Sequence, residues 1–308
     1  MSGTFSADDV RRTYKARDSW WTVFLVDPLA APVVRLLANH TRLTPNQLSL
    51  VAFVVGLGSA SVFLLGDWPW LVLGAVLFYL AFYIDCLDGK IARLKGTGST
   101  FGQWLDFIFD RVRIFLCVLG LTVGQYVLTE RPLFLVIGMC VVFVDALRYI
   151  NSAHTYKMRE DMRTRITEAR RGARARGDDD VDEQLPFIED VLTENPDLDP
   201  NEVAASGNVV DLQQGFRSKF RFYNRFRDFL RRHRMRPHLW SGIEFQMFVC
   251  IVGPVTGLVA PVMIGAAALL LVFEAVLVYK LWLSIRDFDR AIASYATPAD
   301  TDRLTETD

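Results

Sequence analysis

Four aspartates occur as two closely spaced pairs near the middle of the chain. The first pair is Asp85 and Asp88, and the second is Asp106 and Asp110. Residues three or four positions apart lie on the same face of an α-helix, so each pair projects from one helical face. The run 96–99, Gly-Thr-Gly-Ser, separates the pairs and turns the chain back. This spacing predicts that four carboxylates converge from two antiparallel helices.

Carboxylates brought together in this way need compensating cations, because they repel one another and are costly to desolvate. Ligation by oxygen alone suits Mg²⁺ or Mn²⁺ rather than zinc. We expect two such ions, which would neutralise the cluster and help to bind a pyrophosphate. Gly89 lets a ligand approach the backbone closely, and Arg93 offers a forked donor to phosphate oxygens. The alternative is an ionic network that only joins two helices, and four acids beside one nearby arginine disfavour it.

The composition indicates a membrane protein. The 308 residues include 34 basic and 35 acidic side chains, and this balance argues against a nucleic-acid partner. Hydrophobic residues make up 51% of the chain and the mean hydropathy is +0.22, which is high for a soluble protein. Residues 158–238 hold 32 of the 69 charged side chains, whereas 239–285 hold three. This distribution excludes a uniformly soluble globule, a disordered chain and a collagen-like fibre.

Six segments are long and apolar enough to cross a bilayer, which requires about 20 residues. They are roughly 46–66, 70–90, 101–128, 132–156, 239–258 and 260–285. Lys and Arg flank one side of these spans, while the links on the other side carry one basic residue, Arg131. The distribution predicts a multi-pass plasma-membrane protein with both termini and the aspartate cluster on the cytoplasmic side.

The apolar stretch Trp20–Leu37 precedes the spans and is interrupted by Asp27, Pro28 and Pro32. We expect it to lie on the cytoplasmic interface as an amphipathic helix. A seventh span is the alternative. The predicted fold class is therefore an all-α membrane protein, a bundle of six transmembrane helices with an amino-terminal interfacial helix.

Five regions follow from this organisation. They are a cytoplasmic amino terminus with the interfacial helix (1–44), spans one to four with the aspartate motif (45–157), a charged cytoplasmic insert (158–238), spans five and six (239–286) and a cytoplasmic tail (287–308).

The insert ends in a block, 216–236, in which Phe alternates with Arg and Lys. This pattern favours an interfacial helix attracted to anionic membrane lipid. A solvated cytoplasmic helix that covers the bundle is the alternative.

The aspartate region reads D-x2-D-G-x2-A-R-x8-G-x3-D-x3-D from Asp85 to Asp110. It resembles, without departure, the motif of the CDP-alcohol phosphatidyltransferase family. The resemblance is strong over 44–157 and extends to 239–285 by topology alone. It implies that the hydroxyl of an acceptor alcohol attacks the β-phosphate of a CDP-alcohol donor, commonly CDP-diacylglycerol, and that CMP is released in phospholipid synthesis. Homodimers are common in the family.

The resemblance also implies roles for individual residues. Asp85, Asp88 and Asp106 would be metal ligands, and Asp110 would bind metal and act as the general base. Contacts to the CDP-alcohol fall on the following residues: Gly89, Arg93, Ser99, Thr44, Pro45, Asn46 and Gln47. An N-cap followed by proline at the first helical position explains Thr44 and Pro45 equally well.

The acceptor pocket is sought among polar residues of the fourth and fifth spans. Asp145, Arg148 and Asn151 recur at helical spacing, and Glu244 lies near the start of the fifth span. Polar groups that face into a membrane bundle are functional candidates, but Asp145 and Arg148 could also form an i,i+3 ion pair. Family members that accept inositol phosphate carry additional basic residues before the fifth span and in the fourth span, where this chain has Asn151 and Ala153. This disfavours phosphoinositol as the acceptor, although Arg148 and Arg236 could substitute.

Two other functions fit parts of the sequence. An intramembrane prenyltransferase also holds a pyrophosphate with aspartates and Mg²⁺, but it typically has more spans and two separated aspartate motifs. A non-catalytic scaffold would use the basic insert to recruit anionic lipid. The intact pair Asp106 and Asp110 argues against a degenerate active site.

Overall fold

A computed structural model describes residues 4–176, 185–195, 198, 200–206, 208–219, 230, 233–236 and 240–295. Across these ranges the regular secondary structure is helical, and the only β-type pairings are two isolated bridges, Asp18 with Met235 and Phe187 with Val210. The predicted all-α class is confirmed.

The amino-terminal half contains six α-helices and one π-helical turn. In chain order they are α1 (Ala7–Arg12), the π-helical turn Thr22–Val26, α2 (Asp27–His40), α3 (Pro45–Phe63), α4 (Trp68–Lys95), α5 (Thr100–Thr129) and α6 (Leu133–Ala175).

The described helices of the remaining chain are mostly shorter. They are α7 (Ile188–Glu194), α8 (Pro200–Ala205), α9 (Gln214–Lys219), α10 (Gly242–Met247), the π-helical turn Phe248–Val252, α11 (Gly253–Thr256) and α12 (Val259–Ala293).

Six described helices are long and apolar enough to cross a membrane, which confirms the predicted fold class. They are Thr22–His40, Pro45–Phe63, Trp68–Lys95, Thr100–Thr129, Leu133–Ala175 and Val259–Ala293. This set differs from the predicted one in two places.

The first difference is Thr22–His40, which is one helical stretch of membrane length although Asp27-Pro28 was expected to interrupt it. Pro28 lies in the first turn of α2, where a missing N–H costs little.

The second difference is the fifth predicted span, which is present as the shorter helical run Gly242–Thr256. That run ends at Gly257, whose φ of +71° is a left-handed conformation that favours glycine.

The π-helical turn Thr22–Val26 and the first turn of α2 contact α4. The Tyr79 hydroxyl donates to the Leu25 carbonyl and the Tyr83 hydroxyl donates to the Leu29 carbonyl, each at 2.8 Å. Further along α4, Lys90 pairs with Asp27. These contacts hold the start of α2 against α4. The predicted interfacial placement of Thr22–His40 stays a prediction.

Small residues bring α3 and α5 close together. A β-carbon at Gly120 would lie 2.2 Å from the Ala60 carbonyl oxygen, and one at Gly124 would lie 2.2 Å from the Phe63 carbonyl oxygen. Glycines four residues apart allow helix backbones in a membrane to approach closely. The approach fixes α5, which carries the second aspartate pair, against α3.

The chain divides into two compact units, residues 1–148 with 227–273 and residues 149–226 with 274–308. In the second unit, Arg163 pairs with Glu189 at 3.1 Å and with Asp190 at 3.0 Å. Its buried apolar core is formed by Met162, Ile166, Val210 and Leu212.

Helix α6 continues without a break past residue 157, after which the insert is predicted to begin, to Ala175. Residues 158–175, at the start of the predicted insert, therefore form a helical extension of the fourth span. Most of the Phe/Arg block 216–236 lies outside the described residues, so its interfacial role stays a prediction.

Candidate active site

The two aspartate pairs are positioned by the turn between α4 and α5. Helix α4 ends at Gly96, whose φ of +63° is the left-handed conformation of a helix C-cap. Helix α5 begins after Ser99, whose hydroxyl accepts a hydrogen bond from the Gly102 N–H at 3.0 Å. The turn reverses the chain within a few residues, as the sequence predicts.

Three of the four aspartates form one cluster. Carboxylate oxygens of Asp85, Asp88 and Asp106 all lie within 4.8 Å of one another. Asp88 accepts a hydrogen bond from the hydroxyl of Ser49 on α3. We refer to Asp85, Asp88 and Asp106 as the carboxylate cluster.

The carboxylate cluster fits a divalent cation. Asp106 Oδ1 is buried and accepts no hydrogen bond from any residue that the structure describes. A buried oxygen without a donor is costly unless a cation satisfies it. Three carboxylates at this spacing provide the hard oxygen ligands that Mg²⁺ and Mn²⁺ prefer.

Asp110 lies beside two arginines, Arg111 and Arg113. Its Oδ1 accepts a hydrogen bond from Arg113, and its Oδ2 lies 4.0 Å from Arg111 Nη2. Arg113 also reaches Asp85 Oδ1 at 3.4 Å and thus links Asp110 to the carboxylate cluster. The premise that the four acids face one nearby arginine was wrong, because Arg111 and Arg113 both contact aspartates of the site.

Gly56 on α3 makes room for Arg113. A β-carbon at Gly56 would lie 2.5 Å from Arg113 Cδ, which is closer than packed atoms approach. The Arg113 side chain is 4% exposed. Burial of this guanidinium is compensated by its two carboxylate partners.

A cavity of about 390 Å³ adjoins the carboxylate cluster. Asp88 and Asp106 lie on its wall, together with five of the residues predicted to contact the donor: Gly89, Arg93, Ser99, Pro45 and Asn46. Gly102 permits the approach of α3 to this wall, because a β-carbon there would lie 2.8 Å from Asn46 Oδ1.

Thr44 and Gln47 form a reciprocal helix cap. The Gln47 N–H donates to Thr44 Oγ1 at 3.3 Å, and the Thr44 N–H donates to Gln47 Oε1 at 3.0 Å. This is the capping box that orients the start of α3. Capping therefore accounts for both residues, and their contact with a donor stays a prediction.

Asp145 is held by side chains from two other helices. Arg111 Nη1 on α5 lies 2.9 Å from Asp145 Oδ2, and Gln246 Nε2 on α10 donates to Asp145 Oδ1 at 3.1 Å. The ion pair therefore involves an arginine that the sequence interpretation did not consider. Since Arg111 also approaches Asp110, Asp145 is connected to the site through that arginine.

The other acceptor candidates lie in different surroundings. Arg148 stacks over the Phe273 ring at 5.4 Å. In the second unit, Asn151 Nδ2 donates to Glu274 Oε2 at 2.6 Å. Glu244 is buried and accepts from the Ser241 hydroxyl at 2.5 Å.

Sequence reasoning missed Ser49, Arg111 and Arg113. Arg113 follows Asp110 by three positions, so the helical period could have placed both on one face of α5. Ser49 follows Pro45 by four positions, which places it on the same face of α3 as the predicted donor contact. The pairing of Arg111 with Asp145 depends on the packing of distant helices and leaves no local signal.

Residues 42–169 match the family model described as CDP-alcohol phosphatidyltransferase. This segment includes all four aspartates and every residue named on the cavity wall, and the likeness to the family is a likeness of this segment. The match confirms the predicted resemblance and does not favour the prenyltransferase alternative.

Several curated relatives of the chain have names that include inositol or its phosphates. Archaetidylinositol phosphate synthase of Pyrococcus horikoshii is 30% identical over 106 residues, which are 34% of this chain and 55% of that protein. Phosphatidylinositol phosphate synthase of Corynebacterium glutamicum is 38% identical over 88 residues, 29% of this chain and 37% of that protein. Archaetidylinositol phosphate synthase of Methanothermobacter thermautotrophicus is 30% identical over 120 residues, 37% of this chain and 60% of that protein. The chain therefore spans at most about 60% of the length of these three relatives.

Proposed function

We propose that this protein is a metal-dependent CDP-alcohol phosphotransferase of phospholipid synthesis. The observation that carries the proposal is the carboxylate cluster on the wall of a cavity that also contains Arg93, within a segment of the matching family. The donor would be CDP-diacylglycerol and the products would be CMP and a phosphodiester.

The donor would bind with its pyrophosphate between Arg93 and the carboxylate cluster. Gly89 lines the cavity beside Arg93 and presents no side chain to an approaching phosphate. The guanidinium of Arg93 would donate to phosphate oxygens. Ser99 and Asn46 line the same cavity and would contact the rest of the nucleotide.

Bound Mg²⁺ or Mn²⁺ at the carboxylate cluster would neutralise the carboxylates and polarise the pyrophosphate. Asp110 would accept the proton of the acceptor hydroxyl. The hydroxyl oxygen then bonds to the β-phosphorus, the bond from that phosphorus to the bridging oxygen breaks, and CMP leaves. Arg113 holds Asp110 through Oδ1, so Oδ2 is the oxygen best placed to take the proton.

We propose a phosphorylated inositol as the acceptor. The support comes from the names of the relatives and from Arg111, whose guanidinium lies 4.0 Å from Asp110 and 2.9 Å from Asp145. A phosphate on the acceptor would pair with Arg111 and place a ring hydroxyl near Asp110. Asn151, where a basic side chain was expected for such an acceptor, donates instead to Glu274, and this departure weighs against the assignment.

The site would face the cytoplasm. It lies at the end of α4 that carries Arg93 and Lys95, and basic residues concentrate on the cytoplasmic side of membrane proteins.

The experiment is a transfer assay with purified full-length protein in detergent, CDP-diacylglycerol and Mg²⁺. Inositol phosphate, inositol, glycerol 3-phosphate, serine and phosphatidylglycerol are supplied separately, and lipid products are identified by mass. We expect a phosphatidylinositol phosphate as the main product. Product from another acceptor would overturn the acceptor assignment, and no product with any acceptor or CDP-alcohol would overturn the proposed function.

A further inference from the structure

The guanidinium of Arg93 is anchored outside the cavity by the amino-terminal segment. Its Nε donates to the Thr13 carbonyl at 2.6 Å. Its Nη1 lies 3.5 Å from the position that a β-carbon would occupy at Gly89. The Nε edge of the guanidinium is therefore bound to the segment before α2, while Nη1 lies over Gly89, which is on the cavity wall.

Asp27 fixes this segment to α4. Its Oδ1 lies 3.1 Å from the Lys90 ammonium, and the two side chains are only 7% and 5% exposed. Lys90 follows Gly89 directly, but its charge is turned away from the cavity towards Asp27. Removing one partner of a buried ion pair strongly destabilises the folded protein, because the other charge is left buried and unpaired.

Tyr14 links Asp27 to the anchor of Arg93. The Tyr14 hydroxyl donates to the Asp27 carbonyl at 2.9 Å, and its ring lies 5.3 Å from the Lys90 ammonium. Burial and the nearby Asp27 carboxylate raise the pKa of Tyr14, so its hydroxyl stays protonated and donates at neutral pH. Because Thr13 supplies the carbonyl of the peptide bond to Tyr14, a fixed Tyr14 also fixes that carbonyl.

Arg234 completes the cluster from a distant part of the chain. Its Nη1 lies 3.2 Å from Asp27 Oδ2, and its Nη2 donates to the Lys15 carbonyl at 2.7 Å. Its guanidinium also lies 5.3 Å from the centre of the Tyr14 ring. Each oxygen of Asp27 thus has its own cation. We call Tyr14, Asp27, Lys90 and Arg234 the Asp27 cluster.

We propose that the Asp27 cluster positions Arg93 for the donor. The cluster fixes the Thr13 carbonyl, and the hydrogen bond to this carbonyl keeps the Arg93 guanidinium over Gly89. Asp27 and Tyr14 are positioning residues, since they act through Arg93 and do not touch the donor. The inference rests on the proposed function, because the donor supplies the phosphate that Arg93 binds.

The test is a double-mutant cycle in the full-length protein. Tyr14→Phe removes one hydroxyl and keeps the ring, and Asp27→Asn removes the carboxylate charge that pairs with Lys90 and Arg234. Each is made alone and together with Arg93→Ala, and Asp8→Asn is the control because Asp8 forms an exposed pair with Arg11 in the same segment. Donor KM, acceptor KM, kcat and the affinity for CDP-diacylglycerol are measured, with the thermal transition as a check on folding.

We expect Asp27→Asn to raise the donor KM by about tenfold while the acceptor KM stays within about twofold. Tyr14→Phe should raise the donor KM less, and Asp8→Asn should not change it. In the Arg93→Ala background both changes should lose their effect, since residues that act through one group are not additive.

Three results would overturn the inference. They are an unchanged donor KM in both single variants, an equal rise of donor and acceptor KM, and a full additional effect in the Arg93→Ala background. If Asp27→Asn does not fold, Tyr14→Phe decides by the same criteria. A wild-type protein that neither binds a CDP-alcohol nor releases CMP would overturn the proposed function and this inference together, whereas an active wild type with unchanged variants would overturn this inference alone.

Discussion

Asp106 and Asp110 lie one turn apart on α5 but have different surroundings. Asp106 has a buried oxygen that accepts no hydrogen bond from the described residues and lies close to Asp85 and Asp88. Asp110 is held by Arg113 and lies beside Arg111. These surroundings favour metal binding by Asp106 and proton transfer by Asp110.

Asp110→Asn tests the second role. The amide keeps the shape of the side chain and an oxygen for Arg113, but it is a poor proton acceptor. We expect kcat to fall by about 10²- to 10⁴-fold while donor affinity remains close to wild type. Steady-state kinetics and binding of CDP-diacylglycerol measure the two quantities, and retained turnover would remove Asp110 from the role of base.

Asp106→Asn tests the first role without an activity measurement. A cation that binds the folded protein raises its thermal transition temperature, and the rise depends on cation concentration. We expect Mg²⁺ or Mn²⁺ to stabilise the wild type and Asp110→Asn more than Asp106→Asn. Equal stabilisation of the wild type and Asp106→Asn would argue against Asp106 as a ligand.

At the scale of the helices, the fit of α3 against α5 determines where Arg113 lies. The sequence predicts both helices, the turn before α5 and the convergence of the aspartates, because these depend on local spacing and capping. It does not predict that Gly56 receives Arg113, since this depends on which face of α3 meets α5. The same limit applies to Arg111 and Asp145, which come together only through packing.

Gly56→Ala should disturb this fit, and Gly58→Ala on the same helix is the matched control. A β-carbon at Gly56 would overlap Arg113, whereas one at Gly58 meets nothing within 4 Å. We expect Gly56→Ala to lose about 1–3 kcal/mol of stability from overpacking. Gly58→Ala should be neutral or gain up to about 1 kcal/mol from the better helix propensity of alanine. Unfolding of the two variants in one detergent compares them, and equal stability would contradict the account of Arg113.

At the scale of the whole molecule, apolar length predicts most of the membrane-length helices. It does not distinguish a helix that crosses the bilayer from one that lies on it, and Thr22–His40 has the length for either. We expect it to lie on the interface, as the sequence predicts. Apolar length also does not predict that α6 continues to Ala175, because that extension is polar and helical.

Labelling of single cysteines distinguishes the two placements in a variant that lacks the four native cysteines. Lys15→Cys and Arg42→Cys flank Thr22–His40, and Glu130→Cys lies between α5 and α6. An impermeant maleimide applied to intact cells should leave the first two unlabelled and should label Glu130→Cys. Labelling of either Lys15→Cys or Arg42→Cys alone, beside Glu130→Cys, would show that Thr22–His40 crosses the membrane.

The most direct test of the proposed metal-dependent phosphotransfer is the stoichiometry of CMP release. Purified protein is incubated with CDP-diacylglycerol and inositol phosphate, the divalent cation is removed with a chelator, and Mg²⁺ is then restored. We expect one CMP for each phosphodiester formed, no release in the chelator and recovery with Mg²⁺. CMP release that persists in the chelator, or that is unchanged in Asp106→Asn and Asp110→Asn, would contradict the proposed phosphotransfer.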